Sequence, residues 1–293
     1  MAEAHFPYPH DADPDIFRDA LAHSEADKGF TSTLIERDYY CSLVLRYFFS
    51  TETSLVFKGG TCLSKVYVDF YRLSEDLDFI IPVTANTPRT QRRANMEPVR
   101  HMFEKLPNVV PGMAVSEAFE GHNESRQYIG YLEYHSAVVE KLEKIKVEVG
   151  LREPLLSPSE FRMASTIAVN PFSGQPLLPT FTVSAMALRE AYAEKFRAAM
   201  TRKEPAIRDF FDLYYAIRKR GLDSHDPDFV NMVKAKLEVP GNAPVDCSAE
   251  RRAELDRQLE GQLKPVLRPA DFGGFKLDEA FKLVRSMADA LSV

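Results

Sequence analysis

Apolar residues recur at helical spacing near the start of the chain and again throughout its last third. Residues 13–27 and 32–50 predict two helices, and in the second of them Leu34, Tyr39 and Leu43 recur at that spacing. From residue 184 onward the spacing is helical, and proline or glycine residues separate the segments. The helices predicted there are 184–200, 206–220, 226–237, 248–265 and 277–291.

The middle of the chain instead alternates apolar and polar residues, which is the pattern of half-buried β-strands. The predicted strands are 54–57, 74–81, a pair across 114–135, 144–151, and 164–169 within an irregular stretch rich in Pro and Ser. Residues 82–95 predict a surface loop that leads into a helix at about 95–106. The pattern predicts an α+β protein in which a mixed part, residues 1–183, precedes a helical region, residues 184–293.

Composition narrows the class of protein. The 293 residues are 45% apolar and 27% charged, as in average soluble globular proteins, and no apolar run approaches the roughly 20 residues of a membrane span. The N-terminus lacks a secretory pattern and the three cysteines are widely spaced, so a reduced cytoplasmic setting without a membrane partner is expected. The net charge of −6 argues against a general nucleic-acid-binding surface, but it leaves room for a local basic patch.

The candidate chemistry lies between Lys58 and Asp78. Gly59 and Gly60 precede a predicted helix, where the backbone can approach a phosphate closely, although such a pair is more often an ordinary tight turn. Asp76 and Asp78 are separated by one residue, so a strand places both carboxylates on one face. The two charges repel unless a cation or a proton joins them, and Mg²⁺ prefers carboxylate oxygens. One or two Mg²⁺ ions are therefore expected, the alternative being a solvated acidic strand face.

A third carboxylate, Glu148, lies on the polar side of the alternating strand 144–151. If this strand pairs with the acidic strand, Glu148 comes beside the two aspartates. Three carboxylates could then hold metal that neutralises a triphosphate. Taken alone, Glu148 is more typical of an exposed strand residue.

A basic segment follows at 195–220, where eight basic residues stand against three acidic ones, a local charge of +5 in a chain of net −6. Lys195 and Arg202 are seven residues apart, so they lie on nearly one face of a helix. A basic helix pair suits a triphosphate and a nucleic-acid end, whereas the plainer interpretation is a solvated helix face with local ion pairs. Arg208, Asp209 and Asp212 could likewise form a purely structural network at the start of a helix.

Together and in this order, these elements resemble the AbiEii/AbiGii toxin family of minimal nucleotidyltransferases from abortive-infection and toxin–antitoxin systems. The family's Gly-Gly turn, followed by arginine, serine and an Asp-x-Asp pair, is matched by Gly59-Gly60-Thr61 with Leu63 and Lys65, and by Arg72-Leu73-Ser74-Glu75-Asp76-Leu77-Asp78. Its lysine–alanine–arginine helix and Arg-Asp-x-x-Asp-Leu motif are matched by Lys195, Ala198, Arg202 and Arg208-Asp209-Phe210-Phe211-Asp212-Leu213. Their joint occurrence, over about residues 55–215, is far more specific than any one motif.

The resemblance implies a DNA-polymerase-β-like nucleotidyltransferase core with a mixed sheet and a helical C-terminal region. It implies Mg²⁺-dependent transfer of a nucleotide from an NTP to an RNA acceptor, expected to be the 3′ end of tRNA, which blocks translation, and restraint by a cognate antitoxin. The residues expected in catalysis are Asp76, Asp78, Lys195, Asp209 and Asp212. Those expected in nucleotide binding are Lys58, Gly59, Gly60, Thr61, Arg72, Ser74, Arg202 and Arg208. Metal would bind Asp76 and Asp78, with Glu148 added from strand alternation.

Two other functions stay open at this point. One is nucleotidyl transfer to a protein or a small molecule, and the other is a non-catalytic NTP-binding or scaffold protein with a degenerate site. The basic segment favours RNA as the acceptor, and the intact Asp-x-Asp pair with Lys195 argues against a degenerate site. No residue pattern specifies which NTP is used.

Overall fold

The seven β-strands within residues 8–291, the part of the chain that the computed structural model describes, form one mixed sheet. They are β1 (Val56–Lys58), β2 (Leu77–Ile80), β3 (Met113–His122), β4 (Gln127–His135), β5 (Leu142–Gly150), β6 (Glu160–Ala164) and β7 (Phe181–Ala185). Their order is β3-β4-β5-β2-β1-β7-β6. β2 runs parallel to β5 and β1 parallel to β7, whereas the other neighbours are antiparallel. The first seven residues, which enter the prediction about the N-terminus, lie outside the described part.

Helices precede, interrupt and follow these strands. The earlier ones are α1 (Pro9–Ala12), α2 (Pro14–Lys28), α3 (Ser32–Phe48), the single turn α4 (Gly59–Cys62), which continues as a π-helical turn at Leu63–Tyr67, and α5 (Arg89–Lys105). The later ones are α6 (Leu188–Thr201), α7 (Ile207–Arg220), α8 (Pro227–Leu237), α9 (Ala249–Arg257), α10 (Pro269–Gly274) and α11 (Leu277–Leu291). The predicted α+β class with a mixed sheet is confirmed. Within residues 8–291, no helix combines the length and the apolar character that crossing a membrane requires.

Several predicted elements differ from the structure. The helix expected at 95–106 begins at Arg89, because its first two turns carry basic and polar residues and show no apolar periodicity. The strand expected at 164–169 is wrong: β6 ends at Ala164, and three of its five residues are exposed, so it lacks an alternating buried face. The neighbouring strand β7 ends with Ser184 and Ala185, although the helix predicted at 184–200 was expected to begin there.

The described residues divide into two compact units. The first extends to Arg152 and resumes over Glu160–Ala185, so it contains the whole sheet and helices α1 to α5. The second consists of Glu153–Ser159 and the residues from Met186 onward, which form helices α6 to α11.

Aromatic and aliphatic side chains form the core of the first unit between its sheet and helix α3. Phe79 of β2 packs on Phe57 of β1 and on Phe48 of α3, with ring centroids 5.6 and 5.7 Å apart. Leu77 and Val147, opposite each other on β2 and β5, are also fully buried. Because strand side chains alternate, burial of this face turns the neighbouring residues of β2 and β5 toward the other face.

A buried ion pair fixes the turn that follows β1. The Lys65 ammonium pairs with Asp38 of α3 and donates to Ser42 Oγ at 2.7 Å. The second carboxylate oxygen of Asp38 accepts from Thr166 Oγ1 at 2.8 Å and from the backbone N–H of Ile167 at 2.9 Å. Each charge therefore has a partner despite its burial, which is the condition under which such a pair is tolerated. The pair ties the segment after the glycine turn to α3.

Candidate active site

The glycine turn lies against the acidic strand. Gly59 has φ +77°, a left-handed conformation that residues with a Cβ rarely adopt. A Cβ built at this position would lie 2.3 Å from Oδ2 of Asp78. The Asp78 carboxylate thus occupies the space of a side chain at position 59, so both conformation and space require glycine here.

Gly60 is required by space. A Cβ at this residue would lie 2.2 Å from Nη2 of Arg72. Arg72 is 1% exposed, and its Nη1 donates to the backbone carbonyl of Leu73 at 3.1 Å. The guanidinium therefore supports the turn from inside the first unit, and its contact with a nucleotide stays a prediction.

Gly59→Ala is expected to destabilise the protein by about 2–5 kcal/mol. The left-handed conformation alone costs about 1–2 kcal/mol, and the overlap with Asp78 adds about 1–3 kcal/mol. Gly112→Ala in the same unit is the matched control, since Gly112 has φ +72° but its Cβ would meet nothing closer than 3.7 Å. Urea denaturation measures both variants, and equal losses would contradict the close approach of Asp78 to the turn.

Asp76 and Asp78 take the positions that strand alternation predicts. β2 is shorter than the predicted strand, so Asp76 directly precedes it and Asp78 is its second residue. Both aspartates are half-buried, whereas the alternate residues of β2 are buried. Thr61 Oγ1 donates to the backbone carbonyl of Asp76, and this bond ties the glycine turn to the acidic strand.

Two predicted nucleotide-binding residues, Lys58 and Ser74, flank the aspartates. Lys58 lies directly opposite Asp78 in the antiparallel pair of β1 and β2. Ser74 is half-buried in the irregular segment that leads into β2. A lysine directly across from a carboxylate is a favourable cross-strand pair and brings positive charge to this end of β1.

Glu148 lies beside Asp78, as predicted. β5 pairs in parallel with β2, and Asp78 and Glu148 are partners in the register. Glu148 Oε1 accepts from Gln127 Nε2 at 2.7 Å, and Glu148 Oε2 forms an ion pair with Lys146 Nζ at 2.7 Å. The carboxylate is therefore held through both of its oxygens.

The negative charges at this site are compensated unequally. Burial, and then the charge of Glu148, raise the pKa of Asp78 to about 6, although Lys58 opposes the shift. Burial also acts to raise the pKa of Glu148, but the bonds from Lys146 and Gln127 outweigh it, and that pKa is lowered. The negative charge of Asp78 is thus less well compensated than that of Glu148, a deficit that a bound cation would remove.

The two aspartates fit a divalent cation. Their carboxylate oxygens are the ligands that Mg²⁺ prefers, and they lie next to a turn without side chains. Glu148 fits less directly, because its oxygens already bind Gln127 and Lys146. Within residues 8–291, no three His, Cys, Asp or Glu side chains converge as a ready-made metal site. Asp76 and Asp78 would therefore hold the metal, and Glu148 would join them against the charge of the Lys146 ammonium that it already binds.

The predicted site residues of the second unit form an ion-pair cluster. Lys195 Nζ lies 2.7 Å from Asp209 Oδ1 and 2.8 Å from Asp212 Oδ2, and Arg202 Nε lies 3.4 Å from Asp209 Oδ2. Burial acts to raise the pKa of Asp209, but Arg202 and Lys195 together lower it. Arg208, half-buried at the start of α7, precedes Asp209. The cluster joins α6 to α7 within this unit.

Arg202 lies at the end of a helix rather than on its face. α6 ends at Thr201, and Arg202 is its extended C-cap residue, so the prediction that it shares a helical face with Lys195 is wrong. The two residues nevertheless meet, because both reach Asp209. Half of the Arg202 side chain remains exposed.

Sequence reasoning missed two partners of Glu148. Lys146 carried a signal, since it lies two residues from Glu148 on the same strand and therefore on the same face. Gln127 carried none, because its contact depends on the register between β4 and β5, in which it pairs with Gly150.

The sequence profile of one family, described as "Nucleotidyl transferase AbiEii toxin, Type IV TA system", matches residues 44–283. The chain belongs to this family. The AbiEii match covers all the site residues described above, from Lys58 to Asp212, and it extends through both units. The resemblance found in the motifs is confirmed, and the protein is a nucleotidyltransferase toxin of the type IV toxin–antitoxin class.

Solved structures share the architecture of this AbiEii-family chain. JHP933 from Helicobacter pylori is 15% identical with a TM-score of 0.52, and the alignment covers 89% of this chain and 93% of that one. A candidate nucleotidyltransferase from H. pylori is 15% identical with a TM-score of 0.51, covering 89% and 96%. At such identity the likeness shows the fold alone, and it agrees with the nucleotidyltransferase fold predicted from the sequence. A comparison with curated proteins found no match.

Proposed function

We propose that this AbiEii-family protein transfers a nucleotide from an NTP, with Mg²⁺, to the 3′ end of tRNA and thereby blocks translation. A cognate antitoxin would restrain it. The observation that carries the proposal is the position of Asp78, packed against Gly59 and directly opposite Glu148. This arrangement gathers carboxylates at the glycine turn that follows β1.

The residues of the first unit have distinct roles in this proposal. Asp76 and Asp78 would hold Mg²⁺, which neutralises triphosphate charge and lowers the pKa of an attacking hydroxyl. Gly59 and Gly60 leave room for the Asp78 carboxylate and the Arg72 guanidinium, while Lys58 brings positive charge next to Asp78. The 3′ hydroxyl of the acceptor attacks the α-phosphorus, the bond to the β-phosphate breaks, and pyrophosphate leaves.

The basic residues of the second unit favour a nucleic-acid acceptor. Lys203, Lys219 and Arg220 are exposed, and the Arg202 side chain is half-exposed. Exposed cations contact nucleic-acid phosphates and set affinity without reading sequence. Lys195 is held between Asp209 and Asp212, so two carboxylates already share its charge before any phosphate approaches.

A transfer assay tests the proposal. Purified protein incubated with Mg²⁺, total tRNA and each α-labelled NTP in turn is expected to label tRNA with at least one NTP. Transfer RNA whose terminal ribose has been oxidised by periodate is the control, because it lacks the attacking 3′ hydroxyl and should take up no label.

Each outcome has a defined meaning. The absence of label with all four NTPs would contradict the proposal, and equal labelling of intact and oxidised tRNA would place the modification elsewhere on the RNA. Label found on a protein or a small molecule in a cell extract, and not on RNA, would keep the enzyme class and replace the acceptor.

A further inference from the structure

Lys146 occupies the position of a counter-ion at Glu148. Its Nζ lies 2.7 Å from Glu148 Oε2, while Gln127 Nε2 holds the other oxygen at 2.7 Å. The side chains of Lys146 and Glu148 are 30% and 27% exposed, so water screens the pair only partly. Each oxygen of Glu148 therefore already accepts a hydrogen bond, and the ammonium on Oε2 opposes the approach of a metal cation to that oxygen.

The ammonium of Lys146 lies against the acidic site, because Glu148, with which it pairs, is the register partner of Asp78. It lies beside the same acidic residues that would attract a divalent cation. A cation arriving there meets repulsion from Lys146 and finds the third carboxylate occupied.

We propose that Lys146 competes with divalent metal for Glu148, so that the third carboxylate becomes a ligand only when nucleotide phosphates give the ammonium another partner. The inference rests on the proposed function, since it concerns the metal of that reaction. It makes full metal loading depend on nucleotide binding, which is a coupling between two ligands of one site. In the metal-free protein, Lys146 stabilises a carboxylate that would otherwise repel Asp78.

Lys144 offers a matched control. It lies two residues before Lys146, on the same strand and the same face, and it pairs with Glu117 at 2.8 Å instead of with Glu148. Replacing either lysine by methionine removes one positive charge from the same sheet face. A difference between the two variants therefore reports on Glu148 rather than on net charge.

The test measures Mn²⁺ binding to nucleotide-free protein by electron paramagnetic resonance. Lys146→Met is expected to bind Mn²⁺ about fivefold more tightly than the unsubstituted protein, whereas Lys144→Met changes the affinity less than about twofold. With a non-hydrolysable NTP present, the gap between Lys146→Met and the unsubstituted protein is expected to close. Lys146→Gln serves as a second variant if the methionine variant unfolds at a lower temperature.

A double-mutant cycle shows whether the effect acts through Glu148. In a Glu148→Gln background, Lys146→Met is expected to change Mn²⁺ affinity clearly less than it does when Glu148 is present. An effect of undiminished size in that background, an equal change in both lysine variants, or no Mn²⁺ binding by any variant would overturn the inference. The transfer assay on the unsubstituted protein decides the proposed function separately. If that protein transfers nucleotide but Lys146→Met does not change Mn²⁺ affinity, the inference is wrong and the proposed function stands.

Discussion

Asp78→Asn is expected to lower nucleotide transfer at least about a thousandfold while leaving the protein as stable as before, or more stable. Asparagine keeps the size of the side chain beside Gly59 but cannot supply a charged oxygen to a metal. The stability follows from the surroundings of Asp78, since burial and Glu148 both oppose its negative charge. Removing that charge relieves a repulsion and is expected to stabilise the metal-free protein by about 1 kcal/mol.

The measurement combines the transfer assay with thermal unfolding in the presence of a chelator. Glu133→Gln is the matched control. Glu133 is a half-buried carboxylate of β4, and Lys144, which lies opposite it in the register between β4 and β5, is on the same face of β5 as Glu148. It should keep both activity and stability. Full activity of Asp78→Asn would refute the metal assignment, and a fall in its unfolding temperature would show that the carboxylate is structural.

The acidic site of the first unit could be predicted because the side chains of a strand alternate between two faces with a period of two residues. That period assigns Asp76, Asp78 and Glu148 to polar faces, and the parallel pairing of β2 with β5 then brings Glu148 beside Asp78. The approach of Asp78 to Gly59 lay beyond the sequence, because it depends on the backbone conformation of the turn. The Gly-Gly motif predicted a tight turn, but it did not predict that the Asp78 carboxylate would fill the space beside Gly59.

The edge strand β6 escaped prediction because it has no one-sided apolar face. β6 lies at the edge of the sheet and exposes 81% of Phe161, so the apolar residues of its sequence do not report burial. Half-buried strands are recognised because one face is packed, and β6 lacks that property.

Long-range ion pairs were equally beyond the sequence. Lys236 meets carboxylates from two distant parts of the chain, and its own segment predicts an ordinary amphipathic helix. Nothing in the spacing of Glu153, Glu190 and Glu194 marks them as buried, since charged residues are exposed by default. The basic segment at 195–220 was recognised as charged, but its pairing inside the second unit appears only in the structure.

Lys236 is a buried charge of the second unit that three carboxylates share. Its side chain is fully buried, and its Nζ lies 2.7 Å from Glu190, 3.1 Å from Glu153 and 3.6 Å from Glu194. Burial acts to lower the pKa of Lys236, but the three carboxylates raise it. The oxygens of Glu190 also accept the backbone N–H groups of Leu156 and Ser157 at 3.0 and 2.8 Å. One ammonium thus holds the 153–159 segment within this unit.

Lys236→Met is expected to destabilise the protein by about 3–5 kcal/mol, because it leaves three carboxylates together without their shared buried cation. Urea denaturation measures the loss, and hydrogen exchange at Leu156 and Ser157 should accelerate as the segment detaches. Lys234→Met on the same helix is the control, since Lys234 is exposed and its removal should cost less than about 0.5 kcal/mol. If both variants lost the same stability, or if exchange at Leu156 stayed slow in Lys236→Met, the cluster would not be what anchors the segment. A selective loss would explain physically why residues 153–159 fold with the second unit although β5 and β6, on either side of them, belong to the first.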